Sequence, residues 1–355
     1  MSRFIQLHYL TVYPPSNPNR DDLGRPKSAM FGGAPRLRIS SQAIKRAARI
    51  SEVMQQALEG HLGARTQRIG DLIRETLLAE GADEMQATDL AKQLADVFGK
   101  PDAEAEKKGH IRIRQLAFVS PEERALALEM ARKALMGEKL PDTKELKKLV
   151  LRRADGAADV AMFGRMLADD PDYNREAAVQ VSHALTTHRA LVEDDFYTAV
   201  DDLKTAAEDA GAGFVGDAGY GSGVYYLYAC VDTDLLVENL AGDRDLAARA
   251  VEALAEALAV STPSGKRNSF AHQTRAGFVL AESGCQQPRS LAGAFFRPVE
   301  GDLLAGSVAA LREMCDQMDR IYGACAEGRY TMDVVRGDGT LAGLREFVRG
   351  VLADG

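Results

Sequence analysis

Apolar positions recur along the chain with two different periods, and where one gives way to the other sets the first expectations of fold. Residues 3–13 are rich in aromatic and β-branched types and contain no breaker, which predicts a strand. Pro14, Pro15, Pro18 and Gly24 then predict a long loop carrying Asn19, Arg20 and Lys27, with Phe31-Gly32-Gly33 marking its end. Long loops between regular elements tend to be functional. Ser40 and Ser41 are N-cap candidates for a helix that runs to about Leu58 and stops at Gly60. Its buried stripe is Ile44, Ala47, Ala48, Met54 and Leu58. Lys45 and Arg49, four residues apart, stack on a face rotated away from that stripe.

From residue 59 to about residue 172 the pattern is helical and polar, with helices expected at 66–79, 85–98, 121–136 and 143–153. Residues 100–109 are charged and read as a loose loop. The block is expected to be a helical insertion with a small core of its own. Strand character returns at 178–188 and 223–231, and 277–282 is a short strand. An alanine-rich amphipathic helix is expected at 243–260 with Asp243 as N-cap, and two more helices near 302–322 and 341–352. Without its two long inserts the chain reads strand, helix, strand, strand, helix, strand, the split βαβ order of ferredoxin-like and RRM-like domains. The expected class is therefore α+β: an RRM-like (ferredoxin-like) core with an inserted helical domain and an inserted hairpin. The RNP aromatic signature is absent, so any RNA must be held by something other than stacking on that sheet.

With 355 residues, 46% of them hydrophobic and 27% charged, the chain is long enough for two or three packed modules. No segment approaches the ~18 consecutive apolar residues of a membrane span, and the first residues do not read as a signal peptide. Cys230, Cys285, Cys315 and Cys325 show neither CxxC spacing nor the density of a disulfide framework. A cytoplasmic protein with reduced thiols and no membrane partner is expected. The net charge of −8 conceals an asymmetry. Residues 1–50 hold nine basic side chains against Asp21 and Asp22, an excess of seven, so the remainder of the chain carries −15. Such a split points to a localised polyanion site on an acidic body.

The basic side chains cluster around Asn19-Arg20-Asp21-Asp22, Lys27, Phe31-Gly32-Gly33 and the run Arg36-Leu37-Arg38-Ile39-Ser40-Ser41-Gln42-Ala43-Ile44-Lys45-Arg46. Glycines allow close backbone approach to a ligand, and a helix start offers N–H groups and a positive dipole end to an anion. Lys and Arg at mixed spacings neutralise phosphates without reading bases.

This stretch, from Asn19 to Arg49, resembles the N-terminal signature of the CasC-type backbone subunits of type I-E CRISPR Cascade complexes, in the RAMP group; Arg-Ile-Ser-Ser-Gln followed by Lys-Arg is its strongest part. Further matches lie, in order, at Gly164-Arg165-Met166, at His183 to His188, at Phe196 to Asp202 and at Ser222 to Tyr226. The resemblance implies a palm (1–58 and 176–355), helical fingers (59–175) and a thumb at about 190–221. It implies copies stacked head to tail along a CRISPR RNA, beside other Cascade subunits, with each thumb kinking the RNA and the guide presented to target DNA. The positions it implies for gripping the RNA backbone are Lys27, Ser40, Gln42, Lys45 and Arg49, with Met166 as a wedge beside the bases; Asn19, Arg20, Arg38 and Arg46 join the expected RNA-binding set from the basic cluster itself. Phe196, Tyr197, Thr198 and Val200 fall on the thumb, and Lys144, Lys147 and Lys148 on a helix expected to meet target DNA. Base pairing then reads the target while protein holds backbone shape. No cofactor, metal or catalytic residue is expected.

Simpler readings stand beside these. Met166, taken alone, reads as a core residue, and the lysines of 144–148 as a solvated face. His183 and His188, five apart on a strand, point to opposite faces and read as packing residues. Asp21 and Asp22 beside a basic loop also suit a metal-dependent RNA-cleaving subunit, as in type III systems, although Asp22 can pair with Arg20 or Arg25 instead. A stand-alone RNA-binding module is a third option, against which the thumb insert argues.

Overall fold

A computed structural model of the chain describes residues 3–167, 170–199 and 214–353. The chain opens with β1 (Phe4–Ser16), which continues through Pro14 and Pro15 where a loop was expected to begin. After the 17–27 loop come β2 (Ser28–Phe31) and β3 (Ala34–Ile39), an unforeseen hairpin. Phe31 pairs with Ala34 across Gly32 (φ +60°) and Gly33 (φ +74°), so the Gly-Gly pair is a two-residue turn needing positive φ at both positions. A Cβ on Gly32 would lie 1.6 Å from the Phe296 carbonyl oxygen.

The helix expected to reach Leu58 is two helices, α1 (Ser41–Arg49) and α2 (Glu52–Ala57). Ser51 causes the break. Its hydroxyl donates to Ala48 O at 2.7 Å and accepts the Met54 N–H at 3.3 Å, so its side chain ends one helix and caps the next.

The block that follows contains β4 (Ala64–Thr66), α3 (Ile69–Ala79), α4 (Glu84–Ala95), α5 (Ala103–Glu106), β5 (Ala117–Val119), α6 (Pro121–Leu135), α7 (Thr143–Val150) and α8 (Ala158–Phe163). The charged 100–109 segment is thus partly helical, with Asp102 capping α5. Apolar faces of α3, α4, α6 and α7 close over Ile73, Leu77, Leu94, Ile113 and Leu146, a cluster separate from the main core. Helix α8 packs the other way, placing Ala158, Ala161 and Met162 in the main core.

Strand character at 178–188 resolves into β6 (Val179–Val181) and β7 (Ala184–Thr186). Both pair with one long strand. Val181 faces Ala229 and Leu185 faces Tyr226, four steps against three, so one extra residue bulges at Ser182-His183. Strands β8 (Glu193–Ala199) and β9 (Phe214–Asp232) form an antiparallel hairpin rising from the sheet. The chain ends with α9 (Thr233–Asn239), α10 (Arg244–Val260, capped by Asp243), α11 (Arg267–Phe270), β10 (Ala276–Gly284), α12 (Leu303–Tyr322), β11 (Gly328–Asp333) and α13 (Leu341–Ala353).

The fold is a mixed α+β architecture around a nine-stranded sheet of order β11-β10-β1-β9-β7-β3-β2, with β6 and β8 also on β9. Along β1, Ile5, Leu7 and Tyr9 enter the core under α10 and α13, whereas Phe4 and Leu10 face the cluster beneath α12. Strand β9 repeats this period of two, with Tyr225, Leu227 and Ala229 on one side and Val224, Tyr226 and Tyr228 on the other. Helices therefore cover both faces, which explains why 223–231 reads as a continuous apolar run. Buried polar side chains on the α12 side pair internally: His8 contacts Tyr226 Oη at 2.9 Å and Glu282 at 3.3 Å, and Arg289 reaches Glu282 at 2.7 Å. Among the described residues no helix is long and apolar enough to cross a membrane.

Candidate nucleic-acid interface

The 17–27 loop is held from both ends. Buried Asn17 donates to Gly24 O at 2.9 Å and to Gly219 O at 2.8 Å, tying the loop to the base of the β8–β9 hairpin. Arg25 adds an ion pair to Asp194 at 2.7 Å, and Asp22, for which Arg20 or Arg25 was open as a partner, has no ion pair among the described residues. Asp21 accepts the Leu23 and Arg25 N–H groups at 3.0 and 2.9 Å, so it shapes the turn. Arg20 is exposed and bridges Pro26. Lys27 N donates to Asn19 O at 3.0 Å, and Arg38 N donates to Lys27 O at 2.8 Å, which lays Lys27 alongside β3 next to Arg38.

Ser40 caps α1 by accepting the Ala43 N–H at 3.4 Å. The Asn19 side-chain oxygen accepts Ser40 N at 2.8 Å, and His183 Nδ1 accepts Ser41 N at 2.9 Å. The helix start is therefore largely satisfied by protein, not open as expected; Gln42 N is the first-turn N–H without a protein partner among the described residues. The β6–β7 bulge is what delivers His183, and the bond fixes its ring with Nδ1 unprotonated. Burial, then Arg38 and Lys27, lowers the His183 pKa. Arg38 Nε is buried with no hydrogen-bond partner among the described residues. Arg36, by contrast, is wholly buried and spent on Thr186 O (3.1 Å) and Phe295 O (2.9 Å), so it adds nothing to the surface charge.

Helix α1 presents its cations in two directions. Lys45 lies over the Phe163 ring at 5.8 Å and Arg49 over Phe118 at 5.3 Å, both toward the 59–175 block. Burial lowers the Lys45 pKa. Arg49 also approaches buried Asp159 at 3.7 Å, while Asp159 accepts the Gly63 N–H at 2.7 Å. Burial pushes the Asp159 pKa up to about 6, against the pull of that N–H and of Arg49. Met166 follows α8 and is 80% exposed, which overturns the core reading. Its neighbours are anchored: Arg165 pairs with Glu123 at 2.7 Å, and Leu167 N donates to Asn174 at 2.6 Å. Met166 stands out because the residues on either side cannot follow it.

On the other side, Arg46 lines a cleft of about 740 Å³ between α1–α2 and the 260–275 loop, together with Arg267 and Arg275. Sequence reasoning missed this loop. Gly265-Lys266-Arg267 was its visible signal, and its backbone is unusual, with Lys266 at φ +52° and Ala271 at φ +49°. A Cβ on Gly265 would sit 2.4 Å from Pro18 O, so the loop lies directly against the 17–27 segment.

Phe196, Tyr197 and Thr198 are exposed on β8, opposite Asp217, Gly216 and Val215; Val200 lies outside the described residues. On α7, Lys144 is exposed, whereas Lys147 pairs with Asp170 at 2.7 Å and Lys148 with Glu145 at 3.3 Å. His188 is buried, its Nε2 accepting Val224 N at 3.2 Å. Among the described residues no group of three or more His, Cys, Asp or Glu side chains is placed to hold a metal ion.

Residues 5–344 match the sequence profile of the family described as CT1975-like protein. No curated protein matches the chain significantly. Among solved structures, a chain described as "CRISPR RNA-guided surveillance complex, pre-nicking" is similar with a TM-score of 0.84 and 29% identity, over 99% of each chain. Another, described as "CRISPR RNA-guided surveillance complex", gives a TM-score of 0.74 and 26% identity over 98% of this chain and 99% of the other.

Proposed function

The chain belongs to the CT1975-like protein family, and from that premise we propose that it is the RNA-clasping backbone subunit of a Cascade-like CRISPR surveillance complex. It binds CRISPR RNA, stacks with other copies of itself and with other Cascade subunits, and presents the guide to target DNA without cutting either strand. The observation that carries this reading is the end-to-end likeness to a chain of a CRISPR RNA-guided surveillance complex, over 99% of both chains.

The geometry supports the finer parts. The sheet order β10-β1-β9-β7, all antiparallel, suits a split-βαβ palm formed by residues 1–58 and 176–355. Residues 59–175, with their own apolar cluster, suit the fingers, and the β8–β9 hairpin within about 190–221 suits the thumb. Helix α12 covers the sheet face that RRM-like domains use for stacking, so the RNA backbone runs instead along Lys27, Arg38, Gln42, Lys45 and Arg49. The partnerless Arg38 Nε fits a phosphate oxygen there. Asn19 and Ser40 act by holding the loop against the helix, while Arg20 and Arg46 add surface charge. Met166 provides an apolar wedge beside the bases. Phe196, Tyr197, Thr198 and Val200 belong to the thumb that kinks the RNA.

A metal-dependent nuclease needs carboxylates that hold the ion and orient a water, and Asp21 is already committed to two backbone N–H groups. Assemblies carrying their RNA should therefore leave labelled complementary RNA and DNA intact in Mg²⁺. Cuts at regular spacing, lost in Asp22→Ala, would move the chain into the enzyme class.

A further inference from the structure

A second concentration of positive charge lies in the 59–175 block, and the reading above leaves it unused. Two segments run antiparallel there: Arg65 pairs with Phe118, Ile113 N donates to Gln67 O at 3.0 Å, and Asp71 N donates to Ile111 O at 3.0 Å. Between them Asp71 is buried, accepting the Ile111 N–H at 2.7 Å. Around this one carboxylate stand Arg68 and Arg74 at 3.7 Å, and His110 and Arg112 at 3.5 Å. Arg65 and Arg114 flank them, both exposed and without an ion pair among the described residues. Glu75, 3.9 Å from Arg68, is the second carboxylate at the patch.

Stabilising Asp71 does not account for this ring. Buried carboxylates elsewhere are held at shorter range, Glu123 by Arg165 and Asp155 by Arg175 at 2.7 Å, and Glu282 by Arg289 and Arg329 at 2.7 and 2.8 Å with His8 at 3.3 Å. Here Arg68, Arg74 and Arg112 stay 3.5–3.7 Å from Asp71, and most N–H donors of these and of Arg65 and Arg114 have no protein partner among the described residues. Position matters as much as charge. Directly opposed residues of an antiparallel ladder project to the same side, so Arg65 shares a face with Phe118, whose ring lies under Arg49 at 5.3 Å. Arg65 therefore adjoins the basic face of α1, and Arg68, three residues further along, begins the cluster around Asp71, whereas two of the three α7 lysines are spent on internal pairs.

We infer that the arginine ring around Asp71 is a phosphate-backbone site for target DNA, engaging the strand that pairs with the guide. This rests on the function proposed above. A strand paired to RNA on the α1 face has its own phosphates displaced from that face, and the ring is the charged surface that adjoins it.

The test is binding of complementary single-stranded DNA by the complete, RNA-bearing assembly carrying Arg65→Gln, Arg68→Gln and Arg114→Gln together. These side chains are exposed, and Gln retains much of their length. DNA affinity should fall about tenfold or more near physiological salt, and the slope of log K against log salt should flatten by roughly 2 for each copy that engages the DNA, three contacts at ~0.7 each for single strands. RNA content and assembly mass should not change. The corresponding triple Lys variant should stay within about threefold of wild type, because charge is what acts. Unchanged affinity and slope in an intact Gln assembly would overturn the inference. So would loss of RNA along with DNA, which would make the ring a guide site, or a Lys variant as weak as the Gln one. Wild-type assemblies that carry RNA yet bind no complementary DNA would instead overturn the underlying reading, and the inference with it.

Discussion

The side-chain oxygen of Asn19 accepts the backbone N–H of Ser40 at 2.8 Å, joining the 17–27 loop to the first residue of the cap of α1. Through this bond Lys27 on the loop and Lys45 on the helix belong to one rigid surface. Asn19→Ala leaves Ser40 N without its partner at a largely buried position. The expected cost is ~1 kcal/mol, read as a lower urea midpoint with an unchanged m-value. An unchanged midpoint would show that the loop and helix hold together without this bond.

Lys45 and Arg49 hold their charged ends over the Phe163 and Phe118 rings, on the side of α1 that faces the 59–175 block. Replacing both with Ala should weaken RNA binding equally for unrelated sequences. It should also flatten the salt dependence by roughly 0.7 per lost contact. A sequence-selective loss measured by fluorescence anisotropy, or an unchanged slope, would count against phosphate neutralisation.

Much of this surface was legible in the sequence because it is local. The Ser40 cap, the Lys45–Arg49 spacing and the basic excess of residues 1–50 all follow from neighbours within a few turns. What was not legible depends on distant partners. Arg36 counted toward the basic excess, yet carbonyls of Thr186 and Phe295 bury it. The helix start looked open because nothing nearby announces that Asn19 and His183 fill it. The strand at 178–188 gave no sign of its bulge, which exists only in register with β9. The Gly32-Gly33 hairpin is different: a two-residue turn between short runs is a local signal, and reading it as loop punctuation overlooked it. In the same way, the break at Ser51 follows from a hydroxyl that competes for the backbone, which apolar periodicity does not register.

The buried carboxyl of Asp159 titrates at about 6, above the ordinary 3.8. A raised value means that the folded state binds the proton more tightly, so this group adds stability as pH falls from about 6 toward 4 and withdraws it as pH rises through that window. Asp159→Asn keeps an acceptor for Gly63 N and cannot titrate. The stability difference between wild type and Asp159→Asn should therefore shift in favour of wild type between pH 6.5 and 4.5, measured by denaturant titration at each pH. Parallel profiles would mean that Asp159 titrates normally.

Among the described residues the β8–β9 hairpin is tied to the loop near its base, through Asp194 and Gly219. Replacing residues 196–217 with a short Gly-Ser linker should leave the sheet folded, with a near-wild-type melting temperature, and should prevent ordered stacking of copies on RNA. Full-length filaments of this variant in electron micrographs would show that the hairpin does not couple successive copies.

The central claim is that several copies of this chain clasp one guide RNA. Its most direct test is the native mass of the assembly purified after co-expression with the other subunits, together with the length of the RNA released from it. The expected result is a single mass that accounts for the other subunits, a fixed number of copies of this chain greater than one, and one RNA of uniform length. A monomeric chain free of RNA, or one bound to RNAs of every length with no fixed copy number, would contradict it.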